Sequence, residues 1–291
     1  MKRTVLMSLS LLLLLPLAAC DRAAPDATAE SSSAAPAASD AKPSAAAEAA
    51  AAAANSGAMP AGDPNAQAAT PAPNAAADAA VDAVAQAANV GTLTPGVDYV
   101  EIQGGQPYAP LNGKIEVVEV FNFICPACAR FEPLLSAWSR KLPPDVRLSY
   151  VPADFNAQWQ PYARAYLVAE SMGLDAKSHE DVFNAIHLAS SLPSERDQPD
   201  ESKIAKFYAR YGADPKQFLD AMHSFAVDAK LTRAKKFMLA SGVEGTPTII
   251  VNGKYRVTGK NDEDVLRIAN QLIARERGAG AAPAGAAAAG R

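Results

Sequence analysis

The strongest constraint on the fold is an apolar segment that ends just before two closely spaced cysteines. Ile115 to Phe123 reads IEVVEVFNF, and its β-branched and aromatic residues predict a buried strand. The tetrapeptide Cys125-Pro126-Ala127-Cys128 follows it. Apolar residues then recur at helical spacing, and Pro126 suits a first helical turn, where an N–H has no intrahelical partner. The sequence therefore places both cysteines at a junction between a strand and a helix.

The elements that follow predict an α/β fold with an inserted helical domain. Val146 to Val151 reads as a second strand, and the inserted helices are expected at about 158–227. Asn252-Gly253 lies between two β-rich segments and predicts a two-residue hairpin turn. Asp262 to Ala274 predicts a closing helix. The order β-α-β, helical block, β-β-α is typical of a thioredoxin-like fold with a helical insertion.

Composition sets the expected limits of the folded domain at residues 91–277. From Asp21 to Val90 the chain contains no Leu, Ile, Phe, Tyr or Trp. Such a segment buries too little apolar surface to offset the entropy lost on ordering, so residues 20–90 are predicted to form a disordered tether. The Gly/Ala/Pro-rich residues 278–291 are predicted to be a disordered tail for the same reason.

The N-terminus has the pattern of an export signal. Lys2 and Arg3 precede an apolar run that is too short for a comfortable transmembrane helix. The run ends in Leu-Ala-Ala-Cys20, which resembles a bacterial lipobox and predicts a signal peptide over residues 1–19 and acylation of Cys20. The alternative is an ordinary cleaved signal in which Cys20 is incidental. Asp21 resembles an inner-membrane retention signal, so the expected location is the periplasm, with a lipid anchor in the inner membrane.

The three cysteines indicate redox chemistry rather than a disulfide-stapled scaffold. If Cys20 carries lipid, only the C-x-x-C pair remains, and this motif beside a βαβ pattern is typical of redox proteins. At a helix N-terminus, unpaired N–H groups and the helix dipole favour a thiolate. Cys125 is therefore expected to be the exposed nucleophile, and Cys128, one turn further, the buried resolving thiol.

Two other readings of the pair remain open but are less favoured. A zinc site usually needs four ligands, and His179, His187 and His223 all fall in the helical block, away from any second cysteine pair. These histidines are expected to be surface or core residues. A purely structural disulfide would close too short a loop to remove much chain entropy. No metal and no cofactor are therefore expected.

Two further positions are candidates for the chemistry. Glu119 lies in the middle of the apolar strand and is expected to be a buried carboxylate with a raised pKa, able to take the proton from Cys128. The alternative is a strand-edge carboxylate with a local partner. Thr246-Pro247 precedes the hairpin, where the proline either is cis or simply starts a strand in trans.

Taken together, VVEVFNFICPACARFEP, the helical block and GVEGTPTIIVNGKYRV resemble the thiol:disulfide interchange protein DsbA family over about Gly91 to Ala274. The resemblance implies a thioredoxin fold with an inserted helical domain and donation of disulfides to newly exported cysteine-containing proteins. It also implies reoxidation by a quinone-linked membrane oxidase of the DsbB type.

The resemblance also implies roles for individual residues. By position, Cys125 is the attacked sulfur and Cys128 the resolving one, and Glu119 matches the buried glutamate of the family. Thr246 and Pro247 match the cis-proline loop that faces the sulfurs and pairs with the substrate backbone.

Other functions stay open at this point. A reductase or isomerase of the same fold would reverse or redirect the electrons, although no globular dimerisation segment precedes Gly91 and a monomer is expected. A non-redox or copper-handling lipoprotein is a further alternative, but Met172, Met222 and Met238 show no paired spacing for copper. The net charge of −4, without a basic patch, gives no sign of nucleic-acid binding.

Two residues depart from the best-known members of the family. Thr246 stands where many members have valine, so strict oxidase behaviour is not implied. Ala127 stands where those members have a histidine that stabilises the thiolate. The expected consequence is a less acidic Cys125 and a less oxidising disulfide.

Replacing Ala127 by histidine tests this expectation. Ala127→His should lower the pKa of Cys125 relative to wild type, because an imidazolium beside the sulfur stabilises the thiolate. The measurement is a pH titration of thiolate absorbance for both reduced proteins. An unchanged Cys125 pKa in the histidine variant would contradict the argument.

Overall fold

The computed structural model describes residues 74–88 and 91–281, in which a five-stranded mixed sheet forms the centre of the domain. The strands lie in the order β1-β5-β4-β2-β3. β2 and β3 are parallel, and the other neighbouring strands are antiparallel. The strands are β1 (Tyr99–Glu101), β2 (Ile115–Phe121), β3 (Val146–Pro152), β4 (Thr248–Val251) and β5 (Tyr255–Val257).

Helices cover the sheet and form the insertion between β3 and β4. They are α1 (Ala75–Ala87), α2 (Pro126–Arg140), α3 (Gln160–Ser171), α4 (Asp175–His187), α5 (Glu201–Phe207), a 3₁₀ turn (Tyr208–Tyr211), α6 (Pro215–Met222), α7 (Phe225–Ala240) and α8 (Asp262–Ala281). This arrangement confirms the predicted α/β, thioredoxin-like fold with a helical insertion. Across residues 74–88 and 91–281, no helix is both long and apolar enough to cross a membrane.

Strand β2 is buried along its whole length because helices cover both faces of the sheet. Val117 packs in a cluster with residues of α1, α2 and α8, whereas Val118 packs in a second cluster with residues of α7. The strand ends at Phe121, two residues before the predicted end, and leads into α2 through a short turn. The site cysteines therefore stand at one end of the most deeply buried strand.

The predicted tether is wrong for its last part, because Ala75–Ala87 forms helix α1. Ala77, Val81 and Val84 recur at helical spacing and are buried against the neighbouring helices α2 and α8. Asn74 caps the helix by accepting a hydrogen bond from the Ala77 N–H. The segment is too poor in large apolar residues to make its own core, but a narrow stripe of small ones suffices to dock on an existing domain.

The C-terminal boundary also lies further along the chain than predicted. Helix α8 continues past Ala274 to Ala281, into the segment expected to be disordered from Gly278. Tertiary contacts support this extension, since Glu276 accepts hydrogen bonds from Asn252 and Lys254. The predicted signal peptide, Cys20 and the end of the predicted tail lie outside the described residues.

The hairpin region differs from the prediction in the loop between β4 and β5 and in strand β1. Asn252 and Gly253 both have positive φ, 51° and 66°, as the predicted turn requires, but Val251 pairs with Tyr255, so the loop between β4 and β5 has three residues rather than the predicted two. Strand β1 was not predicted. It has three residues and gains its order by pairing with β5, and such a short segment carries no recognisable alternation of its own.

Candidate active site

Asn122 holds the turn that connects β2 to α2. Its Oδ1 accepts a hydrogen bond from the Ile124 N–H at 3.1 Å, and its Nδ2 donates to the Ala153 carbonyl at 2.6 Å. Its own carbonyl accepts from the Cys125 N–H at 3.0 Å. The side chain thus satisfies buried backbone groups that the end of a strand leaves unpaired. The sequence reading missed this residue, although an asparagine just after a strand is a recognised turn former.

The inserted domain contacts the same turn. His187, the last residue of α4, places its Nε2 2.7 Å from the Phe123 carbonyl oxygen. Phe123 itself packs in an aromatic cluster with residues of α3 and α4, Tyr162, Tyr166 and Phe183 among them. The helical insertion therefore supports the loop that carries the first cysteine.

Cys125 is the N-cap residue of α2, as the sequence predicted from its position before Pro126. Its Sγ accepts a hydrogen bond from the Cys128 N–H at 3.5 Å, and both cysteines are free thiols in this structure. Interactions of the sulfur with the Cys128 thiol, the Thr246 side chain and the backbone N–H groups of Cys128 and Ala127 lower the pKa of Cys125 from 9.0 to about 5, against the opposing effect of burial.

Cys128 lies one turn further along α2 and is fully buried. Burial raises the pKa of its thiol well above the ordinary value, and the hydrogen bond to Cys125 and the charge of Glu119 raise it further. The pKa values of the two thiols are therefore shifted in opposite directions. At neutral pH the reduced protein carries a thiolate at Cys125 and a protonated thiol at Cys128.

Cys125 is much less exposed than the sequence predicted. Only 6% of the residue is accessible, because the loop before β4 covers one side of the sulfur. In that loop the peptide bond between Thr246 and Pro247 is cis, which decides the alternative that the sequence left open. The Thr246 carbonyl oxygen lies 3.5 Å from Cys125 Sγ. Pairing of Val120 in β2 with Thr248 in β4 brings this loop to the end of β2.

Glu119 is buried as predicted, with 1% of its surface accessible. It sits mid-sheet, between Tyr150 in β3 and Ile249 in β4. Neither carboxylate oxygen has a hydrogen-bond partner among the described residues, which excludes the strand-edge alternative. Burial raises the pKa of Glu119 well above its ordinary value, and the nearby Glu132 and Cys125 add to the rise. The charged form of this carboxyl group is therefore disfavoured.

The sequence reading missed two buried polar residues beside Glu119. Glu132 follows Cys128 by four positions and therefore lies on the same face of α2. His179 lies on the buried face of α4, three residues before Val182. Both are buried, and His179 Nε2 is 3.5 Å from Glu132 Oε2. The sequence did contain a signal for Glu132, because this charged residue falls on the apolar face of a predicted helix.

Glu119, Glu132 and His179 form one cluster, with a ligand-type atom from each within 4.8 Å of the others. Three such groups are fewer than the four ligands of a structural zinc site. The predicted pair of cysteines is not part of this set. His179 is a core residue, as the sequence suggested, yet it lies next to the chemistry rather than apart from it.

A cavity of about 580 Å³ reaches this cluster from the surface. Glu132, His179 and Tyr150 line its inner part, and charged residues such as Lys177 and Glu180 line it as well. Glu119 and both cysteines are not among the lining residues. The cavity therefore approaches the buried carboxylates by a route that does not pass Cys125.

Comparison with known proteins agrees with this geometry. Residues 102–270 match the family described as Thioredoxin. The chain is 40% identical over 189 residues to the thiol:disulfide interchange protein DsbA of Pseudomonas aeruginosa PAO1, a match covering 64% of this chain and 87% of that protein. It is also 40% identical over 187 residues to the protein of the same name from Azotobacter vinelandii, covering 63% and 85%.

Solved structures show the same relationship. The crystal structure of the oxidoreductase DsbA from Xylella fastidiosa superposes with a TM-score of 0.61 at 45% identity, covering 64% of this chain and 98% of that one. Pseudomonas aeruginosa DsbA superposes with a TM-score of 0.57 at 38% identity, covering 65% and 96%. This chain is a thiol-disulfide oxidoreductase with the thioredoxin fold, and it belongs to the DsbA family of thiol:disulfide interchange proteins.

Proposed function

We propose that this oxidoreductase is a periplasmic dithiol oxidase that donates the Cys125–Cys128 disulfide to exported proteins. The observation that carries the proposal is the opposite shift of the two thiol pKa values. A reduced form that is stabilised by a Cys125 thiolate makes the corresponding disulfide a stronger oxidant. The direction of electron flow follows from this preference, with exported substrates as electron donors.

The exchange takes place in two displacements. A substrate thiolate attacks Cys125 Sγ, the Cys125–Cys128 bond breaks, and its electron pair moves to Cys128 Sγ, which takes a proton. A second substrate thiolate then attacks the substrate sulfur of the mixed disulfide, and Cys125 leaves as a thiolate. The substrate gains a disulfide, and the enzyme retains a Cys125 thiolate and a Cys128 thiol.

Two groups support these steps. Glu119 is the proposed acid and base for Cys128, because it is buried near that thiol and both have raised pKa values. Thr246 and Pro247 form the proposed platform for the substrate backbone, because the loop lies against Cys125 Sγ. A quinone-linked membrane oxidase of the DsbB type is the proposed acceptor of the electrons.

The reduced and oxidised forms should differ in stability in a pH-dependent way. The Cys125 pKa is about 5 in the folded reduced protein and 9.0 ordinarily. A depressed folded pKa stabilises the reduced fold fully above the unfolded value, and this stabilisation is lost as pH falls from about 9 to about 5. The disulfide form has no such thiol.

Urea unfolding of both redox forms across this window provides the measurement. The stability of the reduced form relative to the oxidised form is expected to decrease steadily with falling pH, since groups common to both forms largely cancel. Reduced Cys125→Ser should lack the effect. A redox difference that is independent of pH would contradict the assigned thiolate.

Trapping of substrates tests the enzymatic role directly. Cys128→Ser leaves Cys125 without a resolving thiol, so mixed disulfides with exported proteins should accumulate, whereas Cys125→Ser should trap none. The measurement is non-reducing electrophoresis after acid quenching of cells. The same samples report the redox state of the wild type, which should be mainly oxidised. Mainly reduced cysteines would favour a reductase, and full activity of Cys125→Ala would favour a binding role.

We further propose that the protein is anchored to the inner membrane by a lipid on Cys20. The sequence of residues 1–21 supports this, through its apolar run, the Leu-Ala-Ala-Cys pattern and Asp21. Cys20→Ser should abolish incorporation of labelled fatty acid and release the protein into the soluble periplasmic fraction. Equal labelling of the variant and the wild type would rule out acylation at this position.

A further inference from the structure

The carboxyl group of Glu119 has no evident route for exchanging its proton with solvent. It is buried in the middle of the sheet, and it does not line the described cavity. Each reaction cycle moves a proton to or from Cys128, so a group that acts on Cys128 must itself be recharged. The rate at which Glu119 exchanges its proton therefore depends on the polar atoms nearest to its carboxyl group.

The buried cluster of Glu119, Glu132 and His179 contains several polar atoms that make no hydrogen bond, although His179 and Glu132 face each other at 3.5 Å. Both oxygens of Glu119, Oε2 of Glu132 and both ring nitrogens of His179 lack a hydrogen-bond partner among the described residues. Burying polar groups without hydrogen bonds destabilises the fold. Their retention in the core beneath the motif points to a use in proton transfer.

We propose that Glu132 and His179 relay protons between Glu119 and the 580 Å³ cavity. The inference rests on the proposed function, because it concerns the proton that moves when Cys128 forms or breaks its disulfide. Reacting atoms of the three groups lie within 4.8 Å of each other, a span that one bridging water or a small side-chain rotation covers. Glu132 and His179 both line the cavity and so complete the connection.

The steps balance in both directions. When substrate thiolate opens the disulfide, Cys128 Sγ takes the proton of the Glu119 carboxylic acid. The resulting carboxylate then takes a proton from His179 or Glu132, which is recharged by water in the cavity. When Cys128 attacks a mixed disulfide, its proton travels the same path outwards, and the expelled sulfur leaves with the electron pair.

The position of the cavity gives the relay its advantage. A substrate or membrane partner seated over Cys125 covers the sulfur and excludes water from that side. The cavity lining includes neither cysteine and neither residue of the Thr246-Pro247 loop. Glu119 can therefore exchange its proton while the thiol surface is occupied.

Other titratable groups face the cluster and belong to the same electrostatic environment. Tyr150 and Tyr166 have raised pKa values because they are buried, and the pKa of Glu180 is raised by burial and by Glu132. The facing groups are Cys125 and Cys128 from the motif, Tyr150 from β3, Tyr166 from α3, and Asp175 and Glu180 from α4.

The relay is tested on the isolated resolving step. An aryl thiol is placed on Cys125 as a mixed disulfide, and its release by Cys128 is followed as a first-order rate against pH. Glu132→Gln keeps the side-chain shape, and His179→Phe keeps an aromatic ring against Phe121, Phe123 and Tyr150. Both variants should resolve at least about tenfold more slowly near neutral pH, by the usual size of general acid–base effects.

Matched variants separate proton transfer from structural damage. Ser139→Ala changes the lining of the same cavity but removes no titratable group and lies outside the cluster, so it should resolve at the wild-type rate. His179→Ala should be accelerated by free imidazole, which fits the space opened beside the cavity. Glu119→Gln should be slow and should not respond to imidazole, because the proposed proton partner of Cys128 is lost.

Several results would contradict the proposed relay. Wild-type rates in both Glu132→Gln and His179→Phe would overturn the relay, and so would a shifted pH profile without imidazole rescue, which indicates only a changed Glu119 pKa. Stoichiometric Zn²⁺ in the purified protein, with resolution that changes after chelation, would also overturn it in favour of a metal site. Failure of the wild type to resolve at any pH would instead refute the proposed role of Cys128.

Discussion

The burial of β2 on both faces is the constraint on which the site depends. The strand has no solvent-facing side, so its one central carboxylate, Glu119, is forced into the core. The same strand runs directly into the first turn of α2 and delivers Cys125 to the N-terminus of that helix. One strand therefore positions Cys125, and Cys128 follows one helical turn later, within the electrostatic reach of Glu119.

The chemical asymmetry of the two cysteines follows from a displacement of a single helical turn. Cys125 is reached by N–H groups and side-chain donors that favour the thiolate. Cys128 has the apolar interior on all sides and a carboxyl group nearby, so the charged form is disfavoured. Ala127 supplies no donor from its side chain, which leaves the helix terminus, Cys128 and Thr246 as the sources of the shift.

The helical insertion contributes residues to the surroundings of the active site. His187 at the end of α4 contacts the turn before Cys125, and His179 on the same helix lies beside Glu132. The insertion thus supplies one side of the buried polar cluster and part of the cavity that reaches it. Changes in this domain can alter proton transfer at Cys128 without touching the cysteines or the cis-proline loop.

The amino-acid sequence alone determined the elements whose signals are local. The apolar strand, the C-x-x-C motif with Pro126, the Asn252-Gly253 turn and the burial of Glu119 could be predicted, because spacing and residue type specify them directly. Helix α1 and the end of α8 could not, since their order comes from docking on other elements rather than from their own composition. Thr246 and Pro247 could be chosen as candidates, but only the pairing of β4 with β2 placed them against Cys125. Glu132 and His179 come from two helices 47 positions apart in the chain. They lie close to Glu119 only because the insertion packs on the sheet, and no local sequence pattern specifies this packing.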